Sequence, residues 1–159
     1  MPPSEVRAQP SVLDRLIDLE PRNSQEVPVG NAQAMRNYKA AVRRDLEWLL
    51  NTRCSVLELG EEYETLEQSV YTYGLPDFSA YGSMQARTRL LRAVRRAIEV
   101  FEPRLMNIEV SIVDDPDSKQ ERIMRFLITG LLRMDPAPEQ VAFDTRLEMI
   151  NSEYSVREG

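Results

Sequence analysis

Phe101-Glu102-Pro103-Arg104-Leu105-Met106-Asn107-Ile108-Glu109-Val110-Ser111-Ile112 is the stretch in which this chain changes its hydrophobic period. Upstream of it, Leu90, Leu91, Val94, Ile98 and Phe101 recur at helical spacing, while Arg87, Arg89, Arg92, Arg95 and Arg96 crowd the remaining faces. A residue before proline is pushed out of the helical region, so the helix is expected to run from near Ser83 to the Glu102–Pro103 junction. Downstream, Ile108, Val110 and Ile112 alternate with Glu109 and Ser111. That is the period of a strand covered on one face.

Working outward, Met35, Tyr38, Val42, Leu46, Leu49 and Leu50 predict an earlier helix over about Asn31 to Asn51, with Trp48 as a core or rim anchor. Ser11 to Leu19 predicts a short amphipathic helix. Ser11 caps it, Asp14 takes the reciprocal place, and Val12, Leu13, Leu16 and Ile17 supply an apolar stripe. Such a helix either patches the edge of the core or meets a partner. Beyond the pivotal strand, Asp114-Asp115-Pro116-Asp117 reads as a turn and Arg122 to Leu132 as a second strand. A third carries Val141, Phe143, Thr145 and Leu147 in alternation, and Tyr154 and Val156 suggest a further donated or accepting strand.

Helices followed by a meander of strands imply an α+β fold: two main helices plus a short N-terminal helix, packed on a small, mainly antiparallel sheet. Residues 1–10, with three prolines, read as a flexible N-terminal arm, and residues 11–159 as a single domain. Glu20 to Gly30 reads as a linker, the acidic residues 55–67 as a solvated loop, and Gly74-Leu75-Pro76-Asp77, flanked by Tyr71, Tyr73, Phe78 and Tyr81, as a turn.

The composition of the 159 residues removes whole mechanisms. Histidine is absent, Cys54 is the single cysteine, and only Lys39 and Lys119 among 20 cationic residues are lysines. Without histidine there is no Ser-His-Asp or Cys-His catalysis and no imidazole metal site. One cysteine makes neither an internal disulfide nor a CxxC pair, and nothing can activate it as imidazole would. The formal charge of −6 opposes nonspecific binding to nucleic acid. No apolar run reaches the roughly 20 residues of a membrane-spanning helix, so no direct membrane insertion is expected. The N-terminus, Met1-Pro2-Pro3-Ser4-Glu5, has neither the basic start nor the apolar core of a secretion signal. With the lone Cys54, these features point to the cytoplasm.

Three constellations remain. The arginine helix, Arg87 to Arg96, carries planar, permanently charged forks. In an acidic chain they read as a solvated face or a protein-contacting surface before a nucleic-acid one. The carboxylates are numerous, yet no pair stands in a context marking the acid and base of a glycoside hydrolase, which lie about 5–10 Å apart. The Glu102-Pro103-Arg104 corner holds an acidic and a basic residue about a stiff proline. On residue types alone it reads first as simple helix termination. Beyond that, it either displays Glu102 and Arg104 on opposite sides to partners or locks the helix to the sheet by charge-assisted hydrogen bonds.

The ordered landmarks carry a resemblance. They are Ser11-Val12-Leu13-Asp14-Arg15-Leu16; Arg44-Asp45-Leu46-Glu47-Trp48-Leu49-Leu50-Asn51-Thr52-Arg53; Ser69-Val70 with Tyr73-Gly74-Leu75-Pro76-Asp77; Phe101-Glu102-Pro103-Arg104-Leu105; and Phe143-Asp144-Thr145. This series resembles the TssE baseplate subunits of bacterial type VI secretion systems. Those subunits are related to the small, historically lysozyme-like wedge protein of contractile phage tails. The resemblance covers nearly the whole chain after residue 10.

It implies a noncatalytic part without cofactor or metal, placed in each baseplate wedge beside TssF and TssG, with TssK elsewhere in the baseplate. It further implies a template for the first ring of the contractile sheath of TssB and TssC, in a cytoplasmic baseplate docked at the inner membrane. The historical label implies the alternative, a peptidoglycan-cleaving lysozyme-like glycoside hydrolase. In the family the Glu-Pro-Arg motif is a signature of assembly, which gives Glu102, Pro103 and Arg104 partner-binding roles. Arg95 and Arg96 of the arginine helix join them as expected contacts. An exposed sheet edge would suit β-augmentation by an extended segment, with Arg122 to Leu132 or the strand around Phe143 as candidates.

Overall fold

A computed structural model of the chain describes residues 11–17, 30–54, 66, 68–76, 84–113, 123–148 and 153–158. Its elements follow the order helix, helix, helix, then four strands: α1 (Val12–Leu16), α2 (Asn31–Asn51), α3 (Met84–Phe101), β1 (Leu105–Val113), β2 (Ile123–Leu132), β3 (Glu139–Glu148) and β4 (Glu153–Glu158). The α+β class read from the periods is the class observed. The expected arm at 1–10, the linker at 20–29, the acidic loop at 55–65, the turn at 114–117, and Phe78 and Tyr81 lie outside the described residues.

The 3.6-residue period of α2 buries Tyr38, Val42, Leu46, Leu49 and Leu50 on one side. That of α3 buries Leu90, Val94 and Ile98, with Phe101 partly covered. The four strands form an antiparallel meander in the order β1-β2-β3-β4. Alternation along β2 and β3 turns Phe126, Ile128, Phe143 and Leu147 inward. α3 packs on β1 and α2 on β4, so both helices cover the same face of the sheet. Each fully buried Phe or Leu in this layer contributes about 1.5–3 kcal/mol relative to exposure.

Short connections make consecutive strands neighbours, and that corrects one expectation. β2 and β3 are central, so neither Arg122 to Leu132 nor the strand around Phe143 supplies a free edge. The edges are β1 and β4. Tyr154 and Val156 are buried in β4, which pairs with β3 of its own chain.

Two glycines do conformational work. Gly74 has φ +109°, and a Cβ there would lie 2.3 Å from the Thr52 carbonyl oxygen. Only glycine lets this turn come so close to the end of α2. Leu75 N–H then donates to Thr52 O (2.8 Å) and Cys54 N–H to Leu75 O (2.9 Å). Gly130 faces a bulge in β1, where the register shifts between Met106 and Glu109 and Asn107 has φ 52°. A Cβ at Gly130 would lie 3.0 Å from Met106 O.

Candidate functional site: a corner locked by charge

The corner begins where α3 ends. Glu102 N–H still donates to Ile98 O (2.9 Å), while Leu105 N–H returns to Glu102 O (3.0 Å), so Pro103 and Arg104 form the turn between helix and strand. Arg133 N–H donates to Arg104 O (2.8 Å), which fastens the turn to the end of β2. The proline stop expected at Pro103 is observed, with Phe101 the last helical residue.

The two charged side chains of the corner do not splay to opposite sides. Arg104 Nε donates to Glu102 Oε1 (2.5 Å) and Arg104 Nη2 to Glu102 Oε2 (2.5 Å), a bidentate pair. Glu102 is only 3% exposed. Burial of a carboxylate demands such a partner, and burial is what folds the two side chains together rather than displaying them. Of the three motif residues, Pro103 is the one exposed to solvent.

The pair continues into a network. Arg104 Nη2 also donates to Asp45 Oδ2 (2.6 Å), and Arg104 Nη1 lies 3.5 Å from Asp14 Oδ2. Arg44 Nη2 reaches Asp14 Oδ1 and Asp45 Oδ1, both at 2.7 Å. Thus three carboxylates enclose two guanidinium groups and join α1, α2 and the corner. Burial opposes the charge on Arg104, but Glu102 and Asp45 outweigh it and hold its pKa above the ordinary arginine value. Burial pushes the Asp14 carboxyl up, yet hydrogen bonds from Ser11 and Arg44 outweigh that and leave it below its ordinary value.

Asp14 is also the residue that closes the capping box expected at the start of α1. Asp14 N–H donates to Ser11 Oγ (3.1 Å) and Ser11 N–H to Asp14 Oδ2 (3.0 Å). The apolar stripe of α1 behaves differently from a patch on the core. Val12 and Leu16 are each 75% exposed, and the helix meets the body through Asp14. Trp48 sits on the rim at 49% exposure, with the Arg44 guanidinium 4.9 Å above its ring. A cavity of about 820 Å³ opens between these elements, lined by Leu13, Tyr38, Trp48, Tyr73, Phe101 and Arg104 among others.

The other expected contacts stand on a separate surface. Arg95 and Arg96 are exposed on α3, and Arg95 Nε donates to Glu99 Oε1 (2.8 Å) one turn on. Sequence reasoning missed Asp14, Arg44 and Asp45 as members of the corner. Their signal was present only as a matching of charges among separate landmarks, which no local period reveals. Cys54 is half-buried, its Sγ 3.3 Å from Tyr71 O. Among the described residues, no cluster of three or more His, Cys, Asp or Glu side chains is placed to hold a metal ion, and no helix is long and apolar enough to cross a membrane.

Comparison with curated proteins and with solved structures returns no match. Comparison with family models matches residues 36–137 to the family described as baseplate wedge protein gp25. The matched segment holds α2 from Arg36 onward, the Gly74 turn, α3, the Glu102-Pro103-Arg104 corner and the first two strands. The chain belongs to the baseplate wedge protein gp25 family.

Proposed function

We propose that this chain is a noncatalytic wedge subunit of a type VI secretion baseplate, binding TssF and TssG and templating the first ring of a TssB–TssC sheath. The observation that carries the reading is the family match across the Glu102-Pro103-Arg104 corner. The resemblance of the whole ordered landmark series to the TssE subunits, which extends beyond the matched segment to Ser11–Leu16 and Phe143–Thr145, supports the secretion-system reading. A cytoplasmic site at the inner-membrane baseplate, with TssK elsewhere in the assembly, goes with it.

The corner serves this role as a brace. Glu102 and Arg104 hold α1, α2 and β1 in one arrangement, so that Pro103 and the exposed side chains of α1 meet wedge partners together. Arg95 and Arg96 supply direct contacts on α3, where exposed arginine suits a protein surface. The hydrolase alternative draws no support from these carboxylates. Asp14, Asp45 and Glu102 each face a guanidinium, and Asp14 is shifted away from the raised pKa a general acid needs.

Copurification of the tagged chain from its own cells, followed by mass spectrometry, tests the reading. Recovery of TssF and TssG homologues is expected. A monomer that brings down no wedge subunit would overturn it.

A further inference from the structure

α1 is held differently from the other elements. The closely packed pairs among the described elements are β1 with β2, β2 with β3, β3 with β4, α2 with β4, α3 with β1 and α2 with α3, and α1 belongs to none of them. Its 5 residues cannot keep it helical unaided, because isolated helices shorter than about 12–15 residues are marginal in water. Val12, Leu13, Leu16 and Ile17 are all exposed to a large degree, so apolar burial does little to fix it. Its attachment is Asp14, whose Oδ1 accepts from Arg44 Nη2 (2.7 Å) and whose Oδ2 lies 3.5 Å from Arg104 Nη1. Asp14 Oδ2 also accepts from Ser11 N–H (3.0 Å) and Ser11 Oγ (2.7 Å), so one carboxylate caps the helix and docks it.

The ion network of the body is complete without that carboxylate. With Asp14 withdrawn, Arg104 keeps its bidentate bond to Glu102 and its bond to Asp45, and Arg44 keeps Asp45. Two guanidinium groups then face two carboxylates. Breaking a buried pair is costly because it strands a charge, and here none is stranded. Arg104 Nη1 is already a buried donor without a hydrogen bond, so it loses a neighbouring charge but no bond.

α1 also spans space rather than filling it. The cavity of about 820 Å³ lies between Leu13 of α1 and Tyr38, Trp48, Tyr73 and Phe101 of the body. Side chains that face a void give up the dispersion contacts that would hold them there. Trp48 is the chain's single tryptophan, and the Arg44 guanidinium that bonds Asp14 lies 4.9 Å from its ring. The attachment of α1 and the wall of the cavity therefore share one side chain, and the indole senses both.

We propose that Ser11–Ile17 is a strap that opens and closes over the aromatic cavity while α2, α3 and the sheet stay folded, and that the Asp14 carboxylate is its latch. Closed, the strap sits in the arrangement set by the Glu102–Arg104 brace. Open, it bares Trp48 and leaves one side of Arg44 and Arg104 without a carboxylate. Any use of the opening in wedge assembly rests on the baseplate reading; the strap and its latch do not.

The test uses the full chain, residue-resolved hydrogen exchange at low urea, and acrylamide quenching of Trp48 fluorescence. The Ile17 N–H, which donates to Leu13 O (3.0 Å), should exchange through an opening that hardly responds to urea. Its protection should be at least about a hundredfold below that of Val42 and Leu46 in the core, whose exchange should rise steeply with urea. Asp14→Asn should speed exchange at Ile17 by about fivefold or more and increase the quenching of Trp48. Raising sodium chloride from about 0.05 M to about 1 M should do both in the unaltered chain and neither in Asp14→Asn. An Ile17 amide that shares the urea dependence of Val42 and Leu46 would overturn the proposal, as would unchanged Ile17 exchange in Asp14→Asn. Faster exchange with unchanged Trp48 quenching, or a salt response that survives Asp14→Asn, would overturn it too. So would an Asp14→Asn chain that does not fold, because the body is proposed to stand without the latch; the salt series on the unaltered chain needs no variant. Failure of copurification strikes the baseplate reading alone, and these outcomes strike the strap alone.

Discussion

Arg104 Nη2 and Asp45 Oδ2 lie 2.6 Å apart, although 59 positions separate them in the chain. The same guanidinium holds Glu102 two residues away. One side chain thus ties the end of α3 to the middle of α2. Removing it leaves a carboxylate that is 3% exposed without its counter-charge.

Arg104→Ala should therefore destabilise the fold by about 3–5 kcal/mol, the usual cost of breaking a buried pair from one side. The double variant Glu102→Ala/Arg104→Ala should cost less than the single one, because no buried charge is stranded at position 102. Urea midpoints for the two variants check the order. Equal or inverted losses would mean that Glu102 is not held by Arg104.

Asp14 has a depressed pKa in the fold, so its contribution is present above the unfolded value near 3.8 and disappears as pH falls through the lower folded value. Asp14→Asn should lower stability at neutral pH by about 1 kcal/mol, in the range of a helix cap. The gap between variant and parent should close in strong acid. A gap that stays constant from pH 7 to the acid transition would contradict the ion pair.

Burial pushes the Tyr154 phenol up to about 12. Its neutral form is the one the fold favours, so an unfolded chain loses that proton first. Stability should fall between about pH 10 and pH 12 by on the order of 2 kcal/mol. Burial also raises Tyr38 and Tyr73, so ultraviolet titration should find several late tyrosines, and Tyr154→Phe should remove the component near 12 while flattening the alkaline slope.

Gly74→Ala meets a carbonyl oxygen at 2.3 Å and a backbone angle that side chains rarely adopt. A loss of more than about 1–2 kcal/mol is expected, large for the addition of one methyl. Thermal unfolding of this variant beside Gly30→Ala, where a Cβ meets nothing within 4 Å, provides the comparison.

Asn51→Ala should cost about 1–3 kcal/mol, because Tyr154 is left with an unsatisfied N–H and C=O at a mostly buried position. It also reopens the β4 edge, so concentration-dependent self-association should rise in sedimentation measurements. Unchanged association with reduced stability would mean that Asn51 braces the helix without guarding the edge.

Much of this was legible in the residues, for local reasons. The switch of period at Pro103 marked the end of α3 and the start of β1, and Ser11 with Asp14 announced a capping box that forms as written. Those signals act over two to four residues, where the backbone itself dictates which side chains share a face. The corner was legible as a motif but not as a geometry. Nothing within a few residues of Arg104 reveals that Asp45 and Asp14 come to meet it.

The edge strands teach the same lesson from the other side. Strand pattern alone made the apolar stretch of β2 and the strand around Phe143 the candidates for an open edge. The meander places both in the middle of the sheet, although β1 at the rim is richer in apolar residues than β3, because each strand pairs with its neighbours in sequence.

Read by itself, the amino-acid sequence determined the helices, the strands, the stop at Pro103 and the family. Only the tertiary structure decided that Glu102 and Arg104 turn inward as a pair and that Asn51 bonds the backbone of β4, while β1, the other edge among the described strands, pairs on one side with β2. Periodicity is a short-range property of the chain. Which charge is buried beside which, and which backbone groups remain unpaired, depend on contacts between segments far apart in sequence.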